Sequence, residues 1–269
     1  VRGVSSPCFF RHESRELWIV VHGDDFTILG PAKSLDWFRV QIAAAFEVKF
    51  RGRLGPADGD DKCIRLLNRV IQWTSDGIEY EADQRHAELI VQQLGLGPAS
   101  KSVGTPSVNC AQSSEEPLSA SDSVMYRALA ARGNYMAQDR IDVGFAVKEL
   151  CRHMSSPRQC DWDKLKRFGR YLIDQTMVIV AFRYQEAPQC VNVWTDTDHA
   201  GCLSTRKSTS GGVIMLGSLC IKSWSVNQQV IAMSYGEAEY YGMVKGASNG
   251  LGIVAMLADL GVNLTINLN

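Results

Sequence analysis

The chain has 269 residues, with 28 Lys and Arg against 29 Asp and Glu and a net charge of −1 at pH 7. That length suits one large domain or two small ones with a sizeable core, and the charge balance excludes a strongly basic binding module while leaving room for a local basic groove. The eight cysteines (Cys8, Cys63, Cys110, Cys151, Cys160, Cys190, Cys202 and Cys220) contain no C-x-x-C pair, no stretch is apolar enough to span a bilayer, and no targeting pattern is visible, so a reduced chain in the cytoplasm and/or nucleus, not secreted, is expected.

From the start, Cys8-Phe-Phe10, Leu17 to Val21 and Phe26 to Leu29 read as strands, with His22-Gly-Asp24-Asp25 at the tip between the last two. Two adjacent carboxylates at the tip of an apolar hairpin form either a solvated turn or a cation site. Pro31 opens a helix to about Phe46, with Leu35, Phe38, Ile42 and Phe46 at helical spacing. A charged loop from Gly52 to Asp61 leads to a hairpin, Cys63 to Trp73 with Gly77 to Tyr80, turning about Ser75-Asp-Gly77. Gln84 to Leu94 is an amphipathic helix closed by Gly95. Pro98 to Ser121 has no apolar periodicity and reads as a surface linker.

Asp122 is expected to cap a helix from Ser123 to about Ala137. A second helix follows Asp139-Arg-Ile-Asp142 and runs to about His153, and a third spans Trp162 to Asp174. The nearest approach to a zinc set, Cys151, His153 and Cys160, lacks the clustering such a site needs. Lys164, Lys166, Arg167 and Arg170 make the third helix basic: either a solvated face or a surface that tracks nucleic-acid phosphates. Val178 to Tyr184 is an extended run.

The most informative stretch is Val191 to Gly201. Val191 and Val193 alternate with Asn192 and Trp194, and the strand ends in Asp196-Thr-Asp198, two carboxylates on one side. Same-side carboxylates repel unless a proton or a cation lies between them, and Mg2+ is the usual hard cation. Arg206-Lys-Ser-Thr-Ser-Gly-Gly212 reads as a turn, Val213 to Leu216 and Leu219 to Trp224 as strands, and Leu264 to Asn269 as a last strand. Ser234 is placed to N-cap a helix to about Leu260, with Glu237 at the capping-box position. Glu239 lies about 200° further round that helix and is expected to face the sheet. Gly242, Gly246 and Gly250 share one face, where close packing would offset their poor helix propensity.

The order Trp-Thr-Asp-Thr-Asp-His-Ala-Gly, Arg-Lys-Ser-Thr-Ser-Gly-Gly, Ser-Tyr-Gly-Glu-Ala-Glu-Tyr resembles the ribonuclease H domain of copia-type retrotransposon Pol polyproteins. Trp18 to Gly30 resembles the Tyr-Val-Asp-Asp hairpin of the reverse transcriptase palm in the same family, with His22-Gly23 in place of Tyr-Val. The segments Met125 to Leu129, Asp139 to Val147, Met154 to Pro157 and Trp162 to Leu172 follow the family's connection region. The resemblance implies an α/β (α+β) chain: a palm and thumb remnant over 1–97, a linker over 98–122, a helical connection over 123–187, and a ribonuclease-H-like mixed sheet with a long helix over 188–269.

By resemblance, Asp196 and Glu239 are two of the nuclease's metal-binding carboxylates, with Asp198 either an outer-shell group or a turn residue. Asp24 and Asp25 are the polymerase's metal pair, Mg2+ is the cofactor, and an RNA–DNA hybrid or primer–template is the partner, together with the rest of the polyprotein. His199, where the family has Trp, reads as a surface or partly buried residue rather than a proton shuttle. The polymerase's first aspartate and the nuclease's third are not in the sequence, so the isolated chain is expected to be silent. The alternative is a degraded copy acting, if at all, as a nucleic-acid-binding module through Lys164, Lys166, Arg167 and Arg170.

Overall fold

A computed structural model describes residues 1–97, 99–108 and 114–269. Pro98 at the head of the expected linker, part of that linker's middle, and Cys110 lie outside the described residues. The fold is α/β, with eleven strands and six α-helices among the described residues. It divides into two compact units, each discontinuous in sequence: 1–51 with 185–223 and 227–269, and 52–184 with 224–226.

In the first unit, β1 (Phe9–His12), β2 (Leu17–His22) and β3 (Asp25–Leu29) form an antiparallel meander. His22 pairs with Asp25 across a two-residue turn in which Gly23 takes a φ of 59°. Glycine at the first central position is what a hairpin turn of type II′ requires. The α1 helix (Ala32–Ala45) follows, as the apolar spacing predicts.

The same unit holds a four-stranded mixed sheet in the order β10-β9-β8-β11. Its strands are β8 (Cys190–Thr197), β9 (Thr209–Leu216), β10 (Leu219–Asn227) and β11 (Thr265–Leu268). β8 and β9 are antiparallel, and β11 returns parallel to β8. The connection between β10 and β11 is α6 (Tyr235–Asp259), which lies across one face. Val191, Val193 and Ile214 are fully buried beneath it.

Three glycines of α6 make that approach possible. A Cβ on Gly242 would collide with the Thr197 hydroxyl, one on Gly246 with Thr195 Cγ2, and one on Gly250 with Ile266 Cδ1. The helix therefore lies closer to the sheet than an alanine face would permit.

The second unit has its own sheet, β4 (Cys63–Leu66), β5 (Arg69–Thr74), β6 (Gly77–Glu81) and β7 (Ile179–Arg183), antiparallel throughout. Here one expectation is corrected. The run from Cys63 to Trp73 is two strands, because Leu67 and Asn68 turn between them with φ of 48° and 66°. Positive φ at both positions makes this the type I′ hairpin, but Leu67-Asn68 lacks the glycine that usually signals it. The run from Val178 to Tyr184, expected to be extended, forms β7, and its partner in the sheet is β6.

Helices α2 (Arg85–Gln93), α3 (Ala120–Met136), α4 (Gly144–Arg152) and α5 (Gln159–Asp174) enclose the main core of this unit. Ile90, Tyr126, Leu129, Val147, Leu150, Leu165, Phe168 and Leu172 fill it, and the Tyr126 hydroxyl donates to Leu150 O at 2.8 Å. The α3 helix starts three residues earlier than expected. Ser119, not Asp122, is the cap: its Oγ accepts from Asp122 N at 3.1 Å and donates to the Asp122 carboxylate at 2.7 Å. Asp122 thus stands at the third helical position, joined to the Ser119 hydroxyl through both its N–H and its carboxylate.

Candidate nuclease-like site

Alternation along β8 decides which way its carboxylate points. Val191, Val193, Thr195 and Thr197 face α6, so Asn192, Trp194 and Asp196 face the other side of the sheet. Asp196 is exposed and stands opposite Gly211 on β9, a partner with no side chain. Trp194, two residues back on the same face, is 53% exposed.

Asp198 lies just past the strand and has a structural engagement. Its Oδ1 accepts the Thr209 N–H at 2.6 Å, while its own N–H donates to Thr209 O at 3.1 Å. That pairing closes the loop from Asp198 to Ser208. His199 is partly buried, as expected: Nε2 lies 3.3 Å from Ala232 O and the ring packs on Tyr235 at 4.3 Å between centroids.

The Arg-Lys-Ser-Thr-Ser-Gly-Gly stretch, expected as a turn, is instead the entry into β9 and a polar hub. Ser208 and Ser210 are buried. Ser208 Oγ accepts Ala200 N–H at 3.0 Å, and Ser208 O accepts Gln228 N–H at 2.8 Å. The Gln228 amide, 7% exposed, donates to Ser210 Oγ at 2.9 Å and to Ala238 O in the first turn of α6 at 2.8 Å. One network thus joins the loop after Asp196, the start of β9 and the start of α6. Sequence reading missed Gln228, because a lone glutamine after a strand carries no local signal. The serines left a trace in their period-two spacing, which points both to one side of a strand.

On α6, Ser234 Oγ accepts Glu237 N–H at 3.1 Å, the expected cap. Glu237 Oε2 in turn accepts Met233 N–H at 2.7 Å, and its Oε1 accepts the Tyr241 hydroxyl at 3.2 Å. That carboxylate beside the phenol raises the Tyr241 pKa. The sheet-facing row is Ala238, Gly242, Gly246 and Gly250; Glu239 is partly exposed and lies about 60° round the helix from Gly242.

The other candidates lie elsewhere. Asp24 is at the exposed hairpin tip, and Asp25 has Arg51 Nη2 at 4.0 Å. On α5, Lys164 Nζ is 3.5 Å from Asp161, Arg167 Nη2 donates to Thr105 Oγ1 at 2.7 Å, and Arg170 Nε donates to Lys101 O at 2.7 Å. Lys166 is exposed, 6.0 Å above the Trp162 ring. Much of this basic face is therefore engaged within the chain.

No family model matches the chain and no solved structure resembles it significantly. It is 28% identical to an uncharacterized mitochondrial protein of Arabidopsis thaliana over 226 residues, 83% of this chain and 89% of that protein. It is 31% identical over 144 residues to the retrovirus-related Pol polyprotein from transposon RE2 of Arabidopsis thaliana, covering 54% of this chain and 10% of the polyprotein. Against the Pol polyprotein from transposon TNT 1-94 of Nicotiana tabacum it is 24% identical over 96% of its own length. The chain is a homologue of retrotransposon Pol polyproteins, with partial coverage. It spans a tenth to a fifth of the length of the Pol polyproteins it matches.

Likeness to Pol polyproteins raises the question of Mg2+, which takes six oxygens in near-octahedral order. The described side chains do not gather such a set. Among the described residues, no three His, Cys, Asp or Glu come together in a way that would hold a metal ion. One Asp198 oxygen is occupied by the Thr209 N–H, and Asp196 points to the face of β8 opposite α6.

Proposed function

We propose that this chain is a reverse-transcriptase and ribonuclease H portion of a retrotransposon Pol protein whose nuclease chemistry is silent in the isolated chain. In the intact protein the reaction would be cleavage of RNA in an RNA–DNA hybrid, with Asp196 and Glu239 as two of the carboxylates. Asp24 and Asp25 would belong to the neighbouring polymerase site. The observation that supports silence is the direction of Asp196, which faces the side of β8 opposite α6, the helix that carries Glu239. A carboxylate without a second one beside it holds a hard cation poorly.

The experiment is cleavage of a labelled RNA–DNA hybrid in Mg2+ by the chain and by Asp196→Asn. Equal background from both is expected. Mg2+-dependent cleavage that disappears in Asp196→Asn would overturn the silent reading and make Asp196 a catalytic residue.

A further inference from the structure

Arg167 presents an unfilled edge. Its Nη2 donates to Thr105 Oγ1 at 2.7 Å, while its Nε is shielded from water and has no hydrogen-bond partner among the described residues. Two other arginines of the same unit show what fills this edge. Arg69 turns Nε and Nη2 onto the Asp139 carboxylate at 2.9 and 2.8 Å, and Arg140 does the same to Asp142 at 2.8 and 2.6 Å. The side-on guanidinium fork fits a group with several anionic oxygens. A lone hydroxyl satisfies half of it, and a buried N–H left unpaired is costly.

Thr105 is suited to carry such a group. It is exposed, its neighbours 101–108 are in neither helix nor strand, and Pro106 follows it. An accessible hydroxyl on irregular backbone with proline next in sequence is the substrate form for a proline-directed Ser/Thr kinase. Two more Ser-Pro pairs occur, at Ser6 and Ser156. Ser6 sits against the Asp259 carboxylate, which would repel a phosphate.

We propose that Thr105 is a phosphorylation site whose phosphate is received by Arg167. In the transfer, Thr105 Oγ1 attacks the γ-phosphorus of ATP and forms the new O–P bond. The bond to the β,γ-bridging oxygen breaks, ADP leaves, and the hydroxyl proton passes to the kinase's base. The product carries about −1.5 to −2 charges at pH 7 and three acceptor oxygens, enough to occupy both Nε and Nη2 of Arg167. The consequence is regulatory. The 99–108 segment, already tied by Arg170 Nε to Lys101 O, is pinned to α5. The positive charge of Lys164, Lys166, Arg167 and Arg170 is roughly halved, which disfavours any nucleic-acid backbone there. The proposal does not rest on the nuclease reading.

The test treats the full chain with a proline-directed Ser/Thr kinase and ATP, maps the phosphate by tandem mass spectrometry, and then times its removal by a broad-specificity phosphatase. Phosphate on Thr105 is expected, removed roughly tenfold more slowly than from Arg167→Gln, in line with about one charge-assisted hydrogen bond. Arg167→Lys, which keeps the charge but loses the fork, should fall between and guards against a misfolded glutamine variant. Absence of phosphate at Thr105, or equal removal rates in all three chains, overturns the proposal. So does inorganic phosphate that raises the Tm of the unmodified chain as far as phosphorylation does, since the edge would then serve a free anion.

Discussion

Arg140 is 1% exposed and makes a bidentate pair with Asp142, while its Nη1 donates to Gln175 O at 2.9 Å. Tyr171 adds a hydroxyl to the same carboxylate at 2.9 Å. Three residues earlier Asp139 accepts from Arg69 and from the Tyr80 hydroxyl at 2.7 Å, so the Asp-Arg-Ile-Asp stretch ties the β4–β7 sheet and the end of α5 to one short turn. Breaking a buried pair from one side strands the other charge. Asp142→Ala is expected to cost about 3–5 kcal/mol in urea unfolding, because it leaves a buried guanidinium. Arg140→Met should cost less, since Asp142, 28% exposed, can turn to water. Burial pushes the Asp142 pKa up, but the Arg140 hydrogen bonds and charge outweigh it and leave it lowered. A lowered carboxylate contributes stability above its unfolded pKa and loses it as pH falls through the folded value. The urea midpoint should therefore drop more steeply below pH 4 in the native chain than in Asp142→Ala. Asp259 shows the same sign for another reason. It stands at the C-terminal end of α6, where the helix dipole disfavours an anion. It is kept charged by the Ser5 hydroxyl and by the N–H groups of Val4 and Ser6 at 2.9 and 2.8 Å.

Among elements, α6 tests the glycine argument with opposite signs. Gly252 has open space where a Cβ would go, so Gly252→Ala should stabilise by about 1 kcal/mol through helix propensity. A Cβ on Gly246 would press on Thr195, with Leu268 and Val193 each 3.3 Å away, so Gly246→Ala should destabilise by about 1–3 kcal/mol. Equal effects from the two substitutions, read by thermal unfolding, would refute close helix–sheet packing. The β4–β5 turn offers a gain. Leucine at φ 48° is strained, whereas asparagine tolerates the left-handed region. Leu67→Asn is expected to stabilise by up to about 1 kcal/mol, measured by the same unfolding curve.

At the scale of the whole molecule, the two units have separate cores. Much of the architecture was legible in the chain. The alternation in β8, the Ser234 cap, the glycine row of α6 and the Gly23 turn all follow from local rules, because strand period, capping and positive φ are properties of a few adjacent residues. The candidate residues were legible as well: Asp196 as the end of a strand, Glu239 as a helix position. What escaped was long-range. Nothing near residue 179 announces that β7 pairs with β6, since an edge strand's partner is chosen by the sheet and not by its own residues. The type I′ turn at Leu67 is imposed by the pairing of the strands it joins, against its own preference. The sequence by itself determined which residues carry charge, where most strands and helices lie, and the likeness to retrotransposon Pol polyproteins. Only the tertiary structure decided which carboxylates meet. Asp198 turns to Thr209, Asp259 to the loop at Val4, Asp142 to Arg140, and Asp196 to the face of β8 opposite α6, because a charged side chain takes the surroundings that three-dimensional packing brings to it.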